Sequence, residues 1–229
     1  MKHRIEFLDI IKKERINFLI GFILLIGFIC ITYMVCTGLT QHLDEKVHSF
    51  FIRNRSAGLN TFFESITYCG NWEFITSLCI LLFAFDKTRK KLAYPVITMA
   101  VTSFLLNRGM KCMIMRARPD EMFHLIKQGG FSFPSGHSAT ATAVFGILIY
   151  VFIKNSYFGK KTCPYSWGLF LLIVLICCSR LYLGVHYLTD VWGGIIEGMA
   201  LLFFVVPLMK QKNIISVEPF PDQKTHSFR

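Results

Sequence analysis

At 229 residues, 53% hydrophobic and with a mean hydropathy of +0.49, the chain is about one domain long and too apolar for an ordinary soluble protein. Its formal net charge of +11 does not point to nucleic acid, because the cytoplasmic loops of membrane proteins are routinely enriched in Lys and Arg. The eight cysteines have no paired CxxC spacing, so they make neither a zinc nor a redox motif.

Residues 1–15 carry both signs of charge and read as a cytoplasmic tail, and Ile16 to Cys36 is about the 20 residues a helix needs to cross the hydrocarbon core. Its length, and the lack of a small-x-small site before Gln41, favour a retained first span over a cleaved signal peptide. Between 37 and 73, Leu43, Val47, Phe50 and Phe51, then Leu59, Phe62, Phe63 and Ile66, recur at helical spacing. They predict short interfacial helices packed on the bundle or in the headgroup layer. Asn54-Arg55-Ser56 matches a glycosylation acceptor by chance.

Phe74 to Phe85 is the second span, short unless its helix begins near Ile66 or Trp72, and it ends at the basic turn Asp86 to Lys91. Leu92 to Leu106 is the third, with Pro95 near its start, where a missing amide donor costs little. A polar loop from Asp120 to Phe133 follows; Gly129-Gly130 gives it the backbone freedom of a lid. Ser138 to Ile153, Trp167 to Leu183 and Tyr187 to Leu208 complete the set. The expected fold is all-α, an integral membrane bundle of six transmembrane helices with short interfacial helices between spans one and two. One domain covers 16–209, and both tails, 1–15 and 210–229, are cytoplasmic. This topology leaves sixteen of the 25 basic residues inside, the bias expected of a multi-pass protein. Cys36 and Cys69 both fall outside, where a disulfide between them is conceivable, and buried free thiols are the favoured reading.

Three polar stretches lie at the ends of these apolar runs. In the first, Lys111 and Arg118 are seven residues apart and expected on one helical face. The second is Pro134-Ser135-Gly136-His137. In the third, Arg180 precedes His186 and Asp190, which on a helix are one turn apart. The carboxylate can then take the proton on one imidazole nitrogen and leave the other as a nucleophile or base. Each stretch sits where an outward-facing helix ends, so the topology brings all three to the outer face. Lys111, Arg118 and Arg180 are three cations near lipid that repel one another unless an anion sits between them, and a phosphate fits that need. Ser135 and Gly136 precede the fourth span, whose free amides and helix dipole can face the same anion.

Singly, each group has a structural reading: snorkelling anchors for Lys111 and Arg118, a cap neighbour for His137, a bundle hydrogen bond for His186 with Asp190. The rarity of intramembrane charge makes the whole set a site. His124, Arg108 and Arg116 are read as surface groups.

Together, Lys-x6-Arg-Pro, Pro-Ser-Gly-His and Ser-Arg-x5-His-x3-Asp, in this order, resemble the tripartite signature of the type 2 phosphatidic acid phosphatase superfamily. The resemblance covers 111–190 at motif level, and no signature position departs from the pattern. It implies that Lys111, Arg118, Ser135, Gly136 and Arg180 bind phosphate, that His186 attacks phosphorus with Asp190 orienting it, and that His137 protonates the leaving group. No metal or other cofactor is expected. The implied activity is a lipid phosphatase acting on a polyprenyl diphosphate, phosphatidylglycerol phosphate or phosphatidic acid, with the bilayer as its other partner, no nucleic acid, and an oligomeric state that the sequence does not reveal. Compact size and short loops look like bacterial members. The competing readings are an anion-binding transporter, against which the His186 and Asp190 pair argues, and a vanadate-dependent haloperoxidase, a soluble class with the same pocket.

Overall fold

The computed structural model describes residues 2–154 and 163–211; positions 155–162 of the expected inner loop between Ile153 and Trp167, and the tail beyond 211, lie outside them. The described residues form helices and turns only: α1 (Lys2–Cys36), α2 (Gln41–Arg53), α3 (Ala57–Thr67), α4 (Trp72–Ala84), the single turn α5 (Asp86–Thr88), α6 (Tyr94–Ile114), α7 (Gly136–Lys154), α8 (Cys163–Tyr182) and α9 (Leu188–Gln211). The first span and the stretch read as an N-terminal tail are one continuous helix.

Six spans are not what length and composition support. Four helices qualify, α1 from Glu14, α7, α8 from Pro164, and α9 to Lys210. A fifth results if α3, with its 3-10 turn Tyr68–Gly70, and α4 count as one span bent by 50°. The expected second span is thus α4 alone, 13 residues long, continued backwards by a helix that the sequence pattern had placed at the interface. The expected third span is α6, which starts after a π-helical turn at Arg89–Ala93, carries Pro95 in its first turn as expected, and runs on past Leu106 to Ile114. Its 21 residues are long enough, but Thr98, Thr102, Ser103, Asn107, Arg108 and Lys111 leave it less apolar than the other four.

Two motif expectations also change. Helix α6 ends where Met115 takes a left-handed φ of 49°, so Arg118 lies beyond it in irregular chain and does not share a helical face with Lys111. His186 precedes the first residue of α9, in the turn that joins it to α8, so only Asp190 is helical. Cys36 and Cys69 are free; Cys36 is exposed rather than buried.

Helix α9 packs most extensively against α1 and α7. On α7 the facing positions are small, Ala139 and Ala143, and on α9 they are Gly194 and Gly198. A Cβ at Gly194 would collide with the Ser135 carbonyl, and one at Gly198 would lie 2.7 Å from the Ala139 carbonyl and 2.7 Å from Cβ of Thr142. Small residues four apart let two backbones approach this closely, which is how helices gain packing contact in lipid. The core beside this seam is Val96 and Met99 of α6, Val144 and Ile147 of α7, Ile176 of α8 and Leu201 of α9. The N-terminus of α7 is thereby fixed against the N-terminus of α9, where the Ser135 amide donates to the Asp190 carbonyl at 2.9 Å. Gly198→Ala should therefore destabilise the bundle by about 1–3 kcal/mol through overpacking, seen as a lower melting temperature in detergent; an unchanged or higher one would contradict the close-packed seam.

Candidate active site

Asp190 lies in the first turn of α9 and is fully buried. Its Oδ1 accepts from Arg116 Nη1 at 2.6 Å; its Oδ2 accepts from the Tyr187 amide at 2.8 Å and, in a very short contact, from the Ser132 hydroxyl. The same Oδ2 lies 3.4 Å from His186 Nδ1. On the other side of the ring, Nε2 lies 3.1 Å from Arg118 Nη1. A guanidinium can only donate, so Nε2 presents its lone pair and the proton sits on Nδ1, facing the carboxylate. That tautomer leaves Nε2 as the ring nitrogen with a free electron pair. Burial, and then the charges of Arg118, Arg180, Lys111 and Arg116, hold the His186 pKa well below the usual histidine value and favour the neutral ring.

Facing this histidine are the start of α7 and the three cations. Ser135 is buried, its Oγ accepting from the Ser138 hydroxyl at 3.0 Å, and α7 opens at Gly136, so its first-turn amides are not consumed inside the helix. His137 Nε2 lies 2.6 Å from Asn71 Oδ1; an amide oxygen accepts, so His137 carries its proton there. Asn71 is delivered by the break between Gly70 and α4. At Gly70 a Cβ would stand 2.9 Å from the His137 ring, so only glycine lets the broken helix come this near.

Lys111 Nζ reaches the carbonyls of Phe131 at 2.5 Å and Ser132 at 3.2 Å. Arg118 donates to the carbonyls of Gly130 at 2.9 Å, Phe131 at 3.1 Å and Val185 at 2.7 Å. Arg180 is 0% exposed and bonds Thr67 Oγ1 and Gln128 Oε1, both at 2.6 Å, while its Nε has no partner among the described residues. Among the described residues none of these three cations forms an ion pair with a carboxylate. The loop read as a lid therefore lies over the site, its residues 128–132 tied to all three cations by neutral oxygens.

All eight expected residues converge, at the C-terminal end of α6, the N-terminus of α7 and the α8–α9 turn. Arg108 is exposed, and His124 is half-exposed with Nε2 3.0 Å from the Pro119 carbonyl, as surface groups. Arg116 is not one: it bridges Asp190 and a second buried carboxylate, Asp44 of α2, at 2.7 Å. Asp44, Ser132, Asn71 and the pair Asn107 and Glu197, bonded at 2.9 Å behind the Pro134 carbonyl, escaped the sequence reading. Asp44 was hidden among the polar positions of an amphipathic helix, and no spacing rule links it to residue 190.

The PAP2 superfamily model matches residues 91–214, which span every one of these groups except Asp44, Thr67 and Asn71. The chain belongs to the PAP2 superfamily. It is 34% identical to phosphatidylglycerophosphatase B of Bacillus subtilis, over 82% of this chain and 94% of that one. It is 27% identical to lipid A 4'-phosphatase of Porphyromonas gingivalis, over 64% of each chain. The crystal structure of a transmembrane PAP2-type phosphatidylglycerolphosphate phosphatase from Bacillus subtilis superposes with a TM-score of 0.76 at 30% identity, over 88% of this chain and 98% of that one. These relatives are named as lipid phosphatases, and this PAP2 chain shares the fold of the Bacillus subtilis structure.

The buried neutral state of His186 has a consequence for stability. Between its depressed folded value and about 6.5, the unfolded chain binds a proton that the folded one refuses. Unfolding is then favoured by acid, so stability rises with pH through this window, opposite in sign to a histidine with a carboxylate-raised pKa. The melting temperature of the wild type should rise with pH between about 5 and 6.5 more steeply than that of His186→Asn; parallel curves would show that His186 is not held neutral.

Proposed function

We propose that this PAP2 chain is a membrane-embedded, metal-independent phosphatase that hydrolyses a lipid phosphate or polyprenyl diphosphate through a phosphohistidine. The observation that carries the reading is the His186 tautomer: a lone pair on Nε2, aimed among three cations that lack carboxylate partners, with Nδ1–H toward Asp190. Phosphate oxygens are stronger acceptors for Lys111 and Arg118 than the carbonyls of residues 129–132, because both partners are then charged. Arg180, the Ser135 hydroxyl and the first amides of α7 complete the cradle around the equatorial oxygens.

Nε2 attacks phosphorus as the bond to the lipid oxygen breaks in line, and His137, entering this step as the imidazolium beside the bound phosphate, gives that oxygen a proton and becomes neutral. Asp190 stabilises the positive charge that develops on the His186 ring. Water, deprotonated by His137, then attacks phosphorus, the P–N bond breaks with its electron pair returning to Nε2, and phosphate leaves. Among substrates, phosphatidylglycerol phosphate has the most support, since the relative covered over 94% of its length is named for it. An anion-binding transporter has no use for the Nδ1–H to Asp190 arrangement.

The test is phosphate release by purified protein from a panel of lipid phosphates and diphosphates. Release should persist in EDTA and vanish in His186→Ala, with that variant folded. Turnover by His186→Ala, or loss on chelation restored by magnesium, would overturn the mechanism. Phosphate binding without release would favour the transporter.

The proposal extends to topology. With α6 crossing as one span and α3 with α4 as a bent one, six crossings put the C-terminal end of α6, the N-terminus of α7 and the α8–α9 turn on the outer face. Gln128 contacts Arg180, so the exposed Lys127 is the better reporter. In a chain cleared of other reactive thiols, Lys127→Cys should react with an impermeant maleimide in intact cells, and Cys163 only after permeabilisation. The opposite pattern reverses the topology and leaves the chemistry standing.

A further inference from the structure

Arg116 lies two residues before the motif arginine, outside the groups that would touch phosphate, yet it is ion-paired to two buried carboxylates. Nη1 donates to Asp190 Oδ1 at 2.6 Å and Thr189 Oγ1 at 2.8 Å, and Nη2 to Asp44 Oδ2 at 2.7 Å. Its guanidinium carbon stands 4.6 Å from the centre of the Tyr187 ring, and its own carbonyl accepts the Ser132 amide at 2.8 Å. Tyr187 and Ser132 are the other two donors to Asp190 Oδ2, so Arg116 touches both the carboxylate and the groups that hold it.

Asp44 holds the far end. It is 1% exposed, accepts the Thr189 amide at 3.0 Å and the Thr189 hydroxyl at 2.7 Å, and so caps α9 from another helix. Asp44 and Asp190 share one guanidinium, whose two terminal nitrogens face the two carboxylates. A planar fork can hold both directions at once, whereas a lysine ammonium is a point charge on a flexible stem.

We propose that Arg116, anchored by Asp44, is a positioning residue for the nucleophile: it fixes Asp190, and through Asp190 the proton on His186 Nδ1 and the aim of Nε2. The proposal rests on His186 acting as the nucleophile. It makes α2, an amphipathic helix outside the three motifs, part of the catalytic support. Phosphate binding is left to Lys111, Arg118 and Arg180, none of which touches this assembly through Asp44 or Asp190 at bonding distance.

The experiment is a double-mutant cycle on the purified full chain, with phosphatidylglycerol phosphate in detergent as the probe. Arg116→Lys should lower kcat by about 10-fold to 100-fold, the cost of a misplaced reacting group, and leave KM within about twofold. In an Asp190→Asn background the same substitution should change kcat by less than about twofold, because the residue it acts through is already lost. If Arg116→Lys does not purify folded, Asp44→Asn carries the test. Its Oδ1 still caps Thr189 while its amide nitrogen faces a donor on Arg116, and the same loss and the same collapse are expected. An undiminished kcat, a rise in KM alone, or equal losses in both backgrounds in the folded variant would overturn the positioning role and leave a structural brace. A wild-type protein that releases no phosphate would instead overturn the phosphatase reading, and this proposal with it.

Discussion

A buried carboxylate must be paired or it will not stay charged, and in this chain that constraint falls on Asp190. Its two oxygens collect the side chain of Arg116, the hydroxyl of Ser132 and the amide of Tyr187, and its backbone carbonyl collects the amide of Ser135. These donors come from all three motif segments. Satisfying one acid therefore brings together stretches that are otherwise separated by whole helices. The same acid faces the Nδ1 of His186, so what organises the fold at this end of the bundle also sets the tautomer of the ring.

The cations divide into two kinds by their partners. Arg116 is neutralised by Asp44 and Asp190 and has no charge left over for a ligand. Lys111, Arg118 and Arg180 are bonded to carbonyl, hydroxyl and amide oxygens, which occupy N–H groups without cancelling the charge. A net positive potential in a poorly screened setting follows, and it also depresses the basicity of His186. Burial comes first in holding the His186 ring neutral, and on the proposed reading the three charges that add to it would also draw an anionic substrate.

The sequence revealed whatever depended on local periodicity or fixed spacing. Apolar runs located α7, α8 and α9 to within a few residues and the C-terminal end of α1, and the three motifs pointed to eight residues that lie near one another at one end of the bundle. What it missed are events at breaks and contacts over distance. Periodicity cannot show that Met115 turns left-handed and throws Arg118 off its helix, nor that α3 and α4 are two arms of one bent element meeting at Gly70. Arg116 and Asp44 are 72 positions apart, and a lone arginine in a polar stretch carries no mark of a buried partner. Nor does periodicity show how α6 divides its faces: Ser103 and Asn107 are buried while Phe104 and Leu105 face out.

Rigid and yielding parts of the site differ by the charge on their bonds. The seam of Gly194 and Gly198 against α7 holds Ser135 to Asp190 by backbone contact, and the Asp44, Arg116 and Asp190 chain is ion-paired, so neither gives way to an incoming anion. Residues 128–132 are attached to Lys111, Arg118 and Arg180 by neutral oxygens only. A phosphate offers the same three cations charged oxygens, and charge-assisted bonds are roughly twice as strong as neutral ones. On the proposed phosphatase reading, such an exchange would release residues 128–132, whose Gly129 and Gly130 leave the backbone freest to move.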